Sequence, residues 1–200
     1  MEPAYVVLRR CIYTTQAELD RFRQLVVTAV IATDIFDKDL GALCRHHWEK
    51  VLDPTQQGMS SEKDSTNCKA SIIIKHLIQA SDVAHTMQHW HVYLKWNKRL
   101  FEEMYIAHKT GRGDRDPSEY WYEAELKVFD NDIIPLTKKL KECGVFGVAS
   151  DEYLDYAAAN RREWEIKGRD IVQAHLSDFK AKSELAEAAA ASARRLSSRM

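Results

Sequence analysis

The stretch Ser71-Ile72-Ile73-Ile74-Lys75-His76-Leu77-Ile78-Gln79-Ala80-Ser81-Asp82-Val83-Ala84-His85 carries an apolar run with no Gly or Pro and ends on an acid. It is expected to be a helix over roughly Cys68 to Ala84. In helical register Asp82 falls one turn beyond Ile78, on the face shared with Ile74. That face is expected to point into a core. A carboxylate aimed into a core is costly unless it is paired, protonated or bound to a metal. Asp82 therefore needs a partner, and the partner defines the chemistry.

Working outward, the same periodicity recurs. Thr15-Gln16-Ala17-Glu18 fits a capping box, and Leu19, Phe22, Val26, Ala29 and Val30 follow at helical spacing. Asp34-Ile35-Phe36-Asp37 is expected to break this helix, and a second is expected over about Lys38 to Val51, ended by Asp53-Pro54. Thr55 to Thr66 is polar and is expected to be a loop. A further helix is predicted from His89 to Ala107. A turn-rich link, Thr110 to Pro117, leads to a helix capped by Ser118. It is expected to reach Cys143, with Pro135 bending or splitting it and Gly144 stopping it. The last helix is predicted from Asp151 to about Phe179. No strand-like alternation occurs, so the fold class is all-α, an irregular helical bundle.

The bulk numbers fit one domain with a sizeable core, or two small ones. The chain has 200 residues, 45% hydrophobic and 30% charged, with a formal net charge of −1. No basic field exists to drive binding to nucleic acid or anionic membrane. Cys11, Cys44, Cys68 and Cys143 form no C-x-x-C pair, which points to free thiols in a reducing compartment. The longest apolar stretch, Leu25 to Ala32, is too short to span a bilayer. The N-terminus lacks the layout of a secretory signal, so the expected location is the cytosol. Residues 1–178 are expected to form the folded part, and 179–200 an alanine-rich, frayed tail. Arg194-Arg195-Leu196-Ser197 has the pattern read by basophilic kinases.

His76, Asp82, His85, His89 and His91 lie within sixteen positions. Asp82 with His85, and His85 with His89, could share a helix face if the helix continues. Imidazole and carboxylate are good zinc ligands. There is no H-E-x-x-H and no pair of Glu-x-x-His motifs, so zincin and ferritin-type readings lack their residues.

Four stretches in register resemble the catalytic domain of class I 3′,5′-cyclic-nucleotide phosphodiesterases. They are Val30-Ile31-Ala32-Thr33-Asp34, then Ala80-Ser81-Asp82-Val83-Ala84-His85, then Tyr93-Leu94-Lys95-Trp96 with Arg99 and Phe101-Glu102-Glu103. The last runs from Glu125 through Phe129-Asp130 to Ile133-Ile134-Pro135-Leu136. The resemblance extends over roughly Glu2 to Val172, the C-terminal two-thirds of that domain. The wording around Asp34 and around His89 resembles forms carried on cyclase-linked receptors of algae and protists, whose parent proteins are membrane-linked.

The resemblance implies an all-α enzyme that hydrolyses cyclic AMP or cyclic GMP with two divalent cations, zinc and magnesium, held by two His and two Asp. It implies Asp82 as one metal ligand and Asp34 as an acidic catalytic-site residue of the outer shell, near metal-bound water. His85, Glu125, Val128 and Phe129 are implied as substrate-binding residues around the purine. The family's His-Asn-x-x-His and His-Asp motifs have no counterpart here, so three ligands and the acid His are absent. Little or no activity is therefore expected of the isolated chain. An oligomer, or pairing with the missing N-terminal part, is expected to cover the exposed inner face. Most members carry Gln where this chain has Glu125, and a clamping Phe where it has Val128. Ionised Glu only accepts hydrogen bonds, which leans toward guanine. Glu125 facing solvent, or pairing with Lys127 or Lys138, is the bland alternative. A non-catalytic binding or dimerisation module derived from the same fold is the rival function, and a helical scaffold with Asp82 in a salt bridge is a third.

Overall fold

The computed structural model describes residues 15–33, 62–144 and 146–197, with side chains described at 15–33, 69–144, 146–149 and 151–189. Among the described residues the regular structure is helical, as the periodicity predicts. The chain divides into two compact units, Met1–Val83 and Ala84–Met200. Asp34, the expected break at 34–37, the helix expected at 38–51 and residues 55–61 of the expected loop lie outside the described residues.

In the first unit, helix α1 spans Gln16–Ile31 and opens on the expected capping box. Glu18 N–H donates to Thr15 Oγ1 at 3.2 Å, and Thr15 N–H donates to Glu18 Oε2 at 3.0 Å. Two end amides that a helix cannot satisfy internally are thus capped. Leu19 is fully buried, whereas Val26 and Val30 are exposed. Helix α2 spans Glu62–Asp82 and packs on α1. It starts inside the segment expected to be a loop.

The orientation of α2 corrects the sequence reading. The buried stripe is Ile72, His76, Ala80 and Val83, spaced as one helical face. Ile74 is two residues past Ile72, about 200° around the helix, and is 42% exposed. Ile78 is half-buried, and the Asp82 side chain is exposed. A run of consecutive isoleucines fills every face, so periodicity alone could not select the inner one. His76 enters the buried face because its Nδ1 is paired with the Ile72 carbonyl at 2.8 Å, which satisfies the ring locally.

The second unit begins with a tight 3₁₀ turn at Ala84–Met87. Helix α3 follows at Trp90–Lys109. The helix therefore does not continue through His85, and the expected shared face of His85 and His89 does not form. Helix α4, Pro117–Val128, is capped by Asp116, whose Oδ1 accepts from Ser118 N–H at 2.9 Å. Pro117 occupies the first turn, where its missing N–H costs nothing. The cap is thus Asp116, with Ser118 as its donor. A π-helical turn, Phe129–Ile133, joins α4 to helix α5, Ile134–Glu142. Pro135 cannot donate to the carbonyl four residues back, and the widened turn absorbs that loss. Gly144, at φ 64°, follows α5, as expected of a stop.

Helix α6 spans Ser150–Ser197, running past the predicted end at Phe179. Its buried stripe is Ala157, Asn160, Trp164, Gly168, Val172 and His175. Helices α3, α4 and α5 all pack against α6. The core they enclose is aromatic: Tyr93, Phe101, Trp121, Phe129 and Trp164 are all buried. Trp164 meets Tyr93 edge-on at 5.8 Å between ring centres, and Phe101 meets Trp121 edge-on at 5.5 Å. Such pairs add about 0.5–1.5 kcal/mol each beyond area burial.

Candidate functional site

Helix α3 organises the candidate site of the second unit. Tyr93, Trp96, Asn97 and Leu100 recur at three- and four-residue spacing, so they occupy adjoining strips of one helix. Tyr93 and Asn97 turn inward and are 1% and 3% exposed, while Trp96 and Leu100 are 48% and 46% exposed. The helix thus joins a buried polar chain to an open groove.

The groove has a volume of about 620 Å³ and is lined by His85, Trp96, Arg99, Leu100, Glu102, Glu103 and Ile106. The His85 ring lies 6.1 Å from that of Trp96, and the Arg99 guanidinium stands 5.0 Å from the indole centre. A flat indole, an imidazole and a guanidinium beside two carboxylates make a surface suited to a planar ring that carries polar groups.

The polar chain runs from Glu125 inward. Tyr93 O–H donates to Glu125 Oε2 at 2.7 Å. Asn97 Nδ2–H donates to Tyr93 Oη at 3.3 Å. Asn97 Oδ1 accepts from Trp121 Nε1–H at 3.4 Å and faces His175 Nε2 at 3.3 Å. Burial pushes the Tyr93 hydroxyl well above its ordinary range, and the Glu125 carboxylate adds to the shift. Burial also raises Glu125, opposed by hydrogen bonding from Tyr93 and Asn97. His175 is pulled down to about 4, first by burial and then by Lys98. The ring is therefore neutral near pH 7.

Of the residues singled out in the sequence, the second unit brings Glu125 and Phe129 together on Tyr93. Phe129 is fully buried, edge-on to the Tyr93 ring at 5.3 Å. Val128 is half-buried beside it. Glu125 bonds to Tyr93 and so takes neither of the bland alternatives, open solvent or a lysine partner. His89 packs away from the groove. It stacks on His91 at 5.8 Å and its Nε2 is 3.1 Å from Tyr156 Oη. Sequence reasoning missed the roles of Asn97, Trp121 and His175. Asn97 left one signal, an amide one turn beyond Tyr93 on an inward face. His175 left none, because its meeting with Asn97 spans 78 positions.

Asp82 belongs to the first unit and offers one exposed carboxylate. Among the described residues no group of three or more His, Cys, Asp or Glu side chains could hold a metal ion. The described donors therefore do not by themselves fit a two-cation centre.

Among the described residues no helix is long and apolar enough to cross a membrane. No curated protein and no solved structure matches the chain. The model of the 3'5'-cyclic nucleotide phosphodiesterase family matches residues 10–123. That span contains Asp34, Asp82, His85, Tyr93 and Trp96 and stops short of Glu125, Val128 and Phe129. It covers more than half of the 200 residues, and the chain belongs to the 3'5'-cyclic nucleotide phosphodiesterase family.

Proposed function

We propose that this chain carries the purine-recognising part of a cyclic-nucleotide phosphodiesterase catalytic domain within residues 1–178, followed by an alanine-rich tail over 179–200. The observation that carries the reading is the family match over 10–123, a span that includes His85, Tyr93 and Trp96. The open groove lined by His85, Trp96 and Arg99 supports it. Its substrate is a cyclic nucleotide, hydrolysed to the 5′-nucleotide in the complete domain. His85 and Val128 flank the base, Phe129 backs the pocket through Tyr93, and Glu125 accepts from the base edge. Guanine offers N–H donors there and adenine N1 does not, so cyclic GMP is favoured.

In the complete domain Asp82 would supply one carboxylate to a zinc and magnesium centre, and Asp34 would stand in its outer shell. Bound cations would generate the nucleophile and stabilise charge on phosphorus. With one first-sphere carboxylate, the chain alone turns over little or nothing. It works in the cytoplasm, paired with a second copy or with a partner that carries the other ligands.

Two assays test this reading. Cyclic GMP and cyclic AMP hydrolysis is measured with zinc and magnesium supplied, and calorimetric cation binding is compared between wild type and Asp82→Ala. The expected results are turnover near the detection limit and weaker cation binding by the variant. Equal cation binding by both proteins would remove Asp82 from the role of ligand. The exposed apolar surface of Trp96, Leu100 and Ile106 favours a second reading, a non-catalytic binding or dimerisation module. Concentration-independent monomers in sedimentation, together with measurable turnover, would argue against it.

A further inference from the structure

We infer that Asn97 is a positioning residue that fixes Tyr93 as the donor to Glu125, holding Glu125 as a hydrogen-bond acceptor. The consequence for base selection rests on the purine reading of Glu125 given above. At the far end of the polar chain, the Trp121 indole N–H can only donate. Trp121 Nε1 lies 3.4 Å from the Asn97 side chain, and an amide oxygen is the end that can receive it. With Oδ1 fixed toward Trp121, the Asn97 NH₂ must face Tyr93, 3.3 Å away.

An NH₂ group has no lone pair to offer, so Tyr93 Oη must accept from it. The single hydroxyl proton of Tyr93 is then left for Glu125, at 2.7 Å. The polarity of the whole chain follows from one donor-only group at its far end. His175 joins consistently. Its Nε2 faces the same Asn97 oxygen at 3.3 Å and must carry the ring proton there. Asn97 is thus clamped from α4 by Trp121 and from α6 by His175.

The arrangement matters because a carboxyl group, unlike an amide, can change roles. Burial favours a protonated Glu125, which would donate as well as accept. A committed donor on one oxygen favours the ionised form and leaves the other oxygen as an acceptor for a base edge. Asn97 therefore acts on Glu125 both directly, through its own hydrogen bond to the carboxyl, and through Tyr93, while Trp121 and His175 fix the orientation of its amide. Tyr93, Asn97, Trp121 and His175 are all at most 7% exposed, so water does not substitute for any member.

The test uses the whole chain with ¹³C at glutamate carboxyl and tyrosine Cζ positions. Glu125→Gln and Tyr93→Phe identify the two resonances. Asn97→Asp keeps the side-chain shape and replaces the amide donor by an acceptor. The expected result is that both the Glu125 carboxyl and the Tyr93 Cζ resonances move in Asn97→Asp. Asn97→Leu, which removes only the polar group, should move them differently although both variants stay folded by circular dichroism. Unmoved resonances in folded Asn97→Asp would overturn the inference, as would identical displacement in Asp and Leu variants, which is what a packing role alone predicts. A second arm measures cyclic GMP and cyclic AMP binding by calorimetry. A cyclic GMP preference that falls about tenfold in Asn97→Asp, the size of one hydrogen bond to a charged group, supports the inference and its consequence. Moved resonances with an unchanged nucleotide ratio would support the positioning role and overturn the purine reading of Glu125.

Discussion

Tyr93 and Glu125 meet at 2.7 Å, and this contact ties α3 to α4 across 32 positions of sequence. The hydroxyl serves a half-buried carboxyl while its ring packs edge-on against both Phe129 and Trp164. Tyr93→Phe keeps the ring packing and removes the donor. The expected cost is about 1.5–3 kcal/mol, the range for a hydrogen bond to a charged group, read from urea unfolding. A loss below ~0.5 kcal/mol would show that the hydroxyl contributes nothing net.

Asn160 holds the turn that precedes α3. Its Nδ2 donates to Thr86 O at 2.9 Å and to Gln88 O at 2.7 Å, from a side chain that is 2% exposed. One of these carbonyls lies in the 3₁₀ turn and the other just after it, so one side chain ties both to α6. Asn160→Ala should cost about 1–3 kcal/mol, the loss of two hydrogen bonds made from a buried side chain. Hydrogen exchange should quicken first at the start of α3.

Gly168 in α6 is explained by what lies against it. A Cβ there would stand 2.8 Å from Trp164 Cε2 and 2.8 Å from Tyr122 Cδ2. Both rings are pinned, since Trp164 Nε1–H donates to Tyr122 O at 3.1 Å and Tyr122 O–H donates to Glu165 O at 3.0 Å. In an open helix Gly→Ala would gain about 0.8–1 kcal/mol. Here overpacking of about 1–3 kcal/mol opposes it, so Gly168→Ala is expected to be destabilising. A raised melting temperature would show that the rings yield.

His175 makes stability depend on pH with a defined sign. Its folded value is about 4 against an ordinary 6.5, so the folded state binds the proton less readily than the unfolded one. Its contribution is fully present above about pH 6.5 and is lost as pH falls toward 4. Lys98 adds to the depression, while Asp178 and Glu102 oppose it. Asp130 and Asp116 are also held low, so they add to acid destabilisation only at lower pH. Urea midpoints from pH 7 to 4.5 should fall more steeply for wild type than for His175→Phe. Parallel slopes would remove His175 from the acid response.

The fold class was legible because helical spacing is local. The capping box at Thr15, the stop at Gly144 and the disturbance at Pro135 each depend on residues within one turn, and each was found where expected. The inner face of α2 was not legible, because Ile72, Ile73 and Ile74 satisfy every rotation of the helix equally. The cap moved from Ser118 to Asp116 because a proline after an acid makes a better first turn. The candidate site was partly legible: Glu125 was singled out in the sequence, and the structure brings it onto Tyr93. Its supports did not, since Asn97, Trp121 and His175 come from three helices and only the packed core brings them together.

The most direct measurement of the central claim is calorimetric titration of the chain with cyclic GMP and with cyclic AMP, in wild type and in Glu125→Gln. The account predicts that cyclic GMP binds more tightly to wild type and that the difference shrinks about tenfold or more in the variant. Tighter binding of cyclic AMP, or a ratio unchanged by Glu125→Gln, would contradict it.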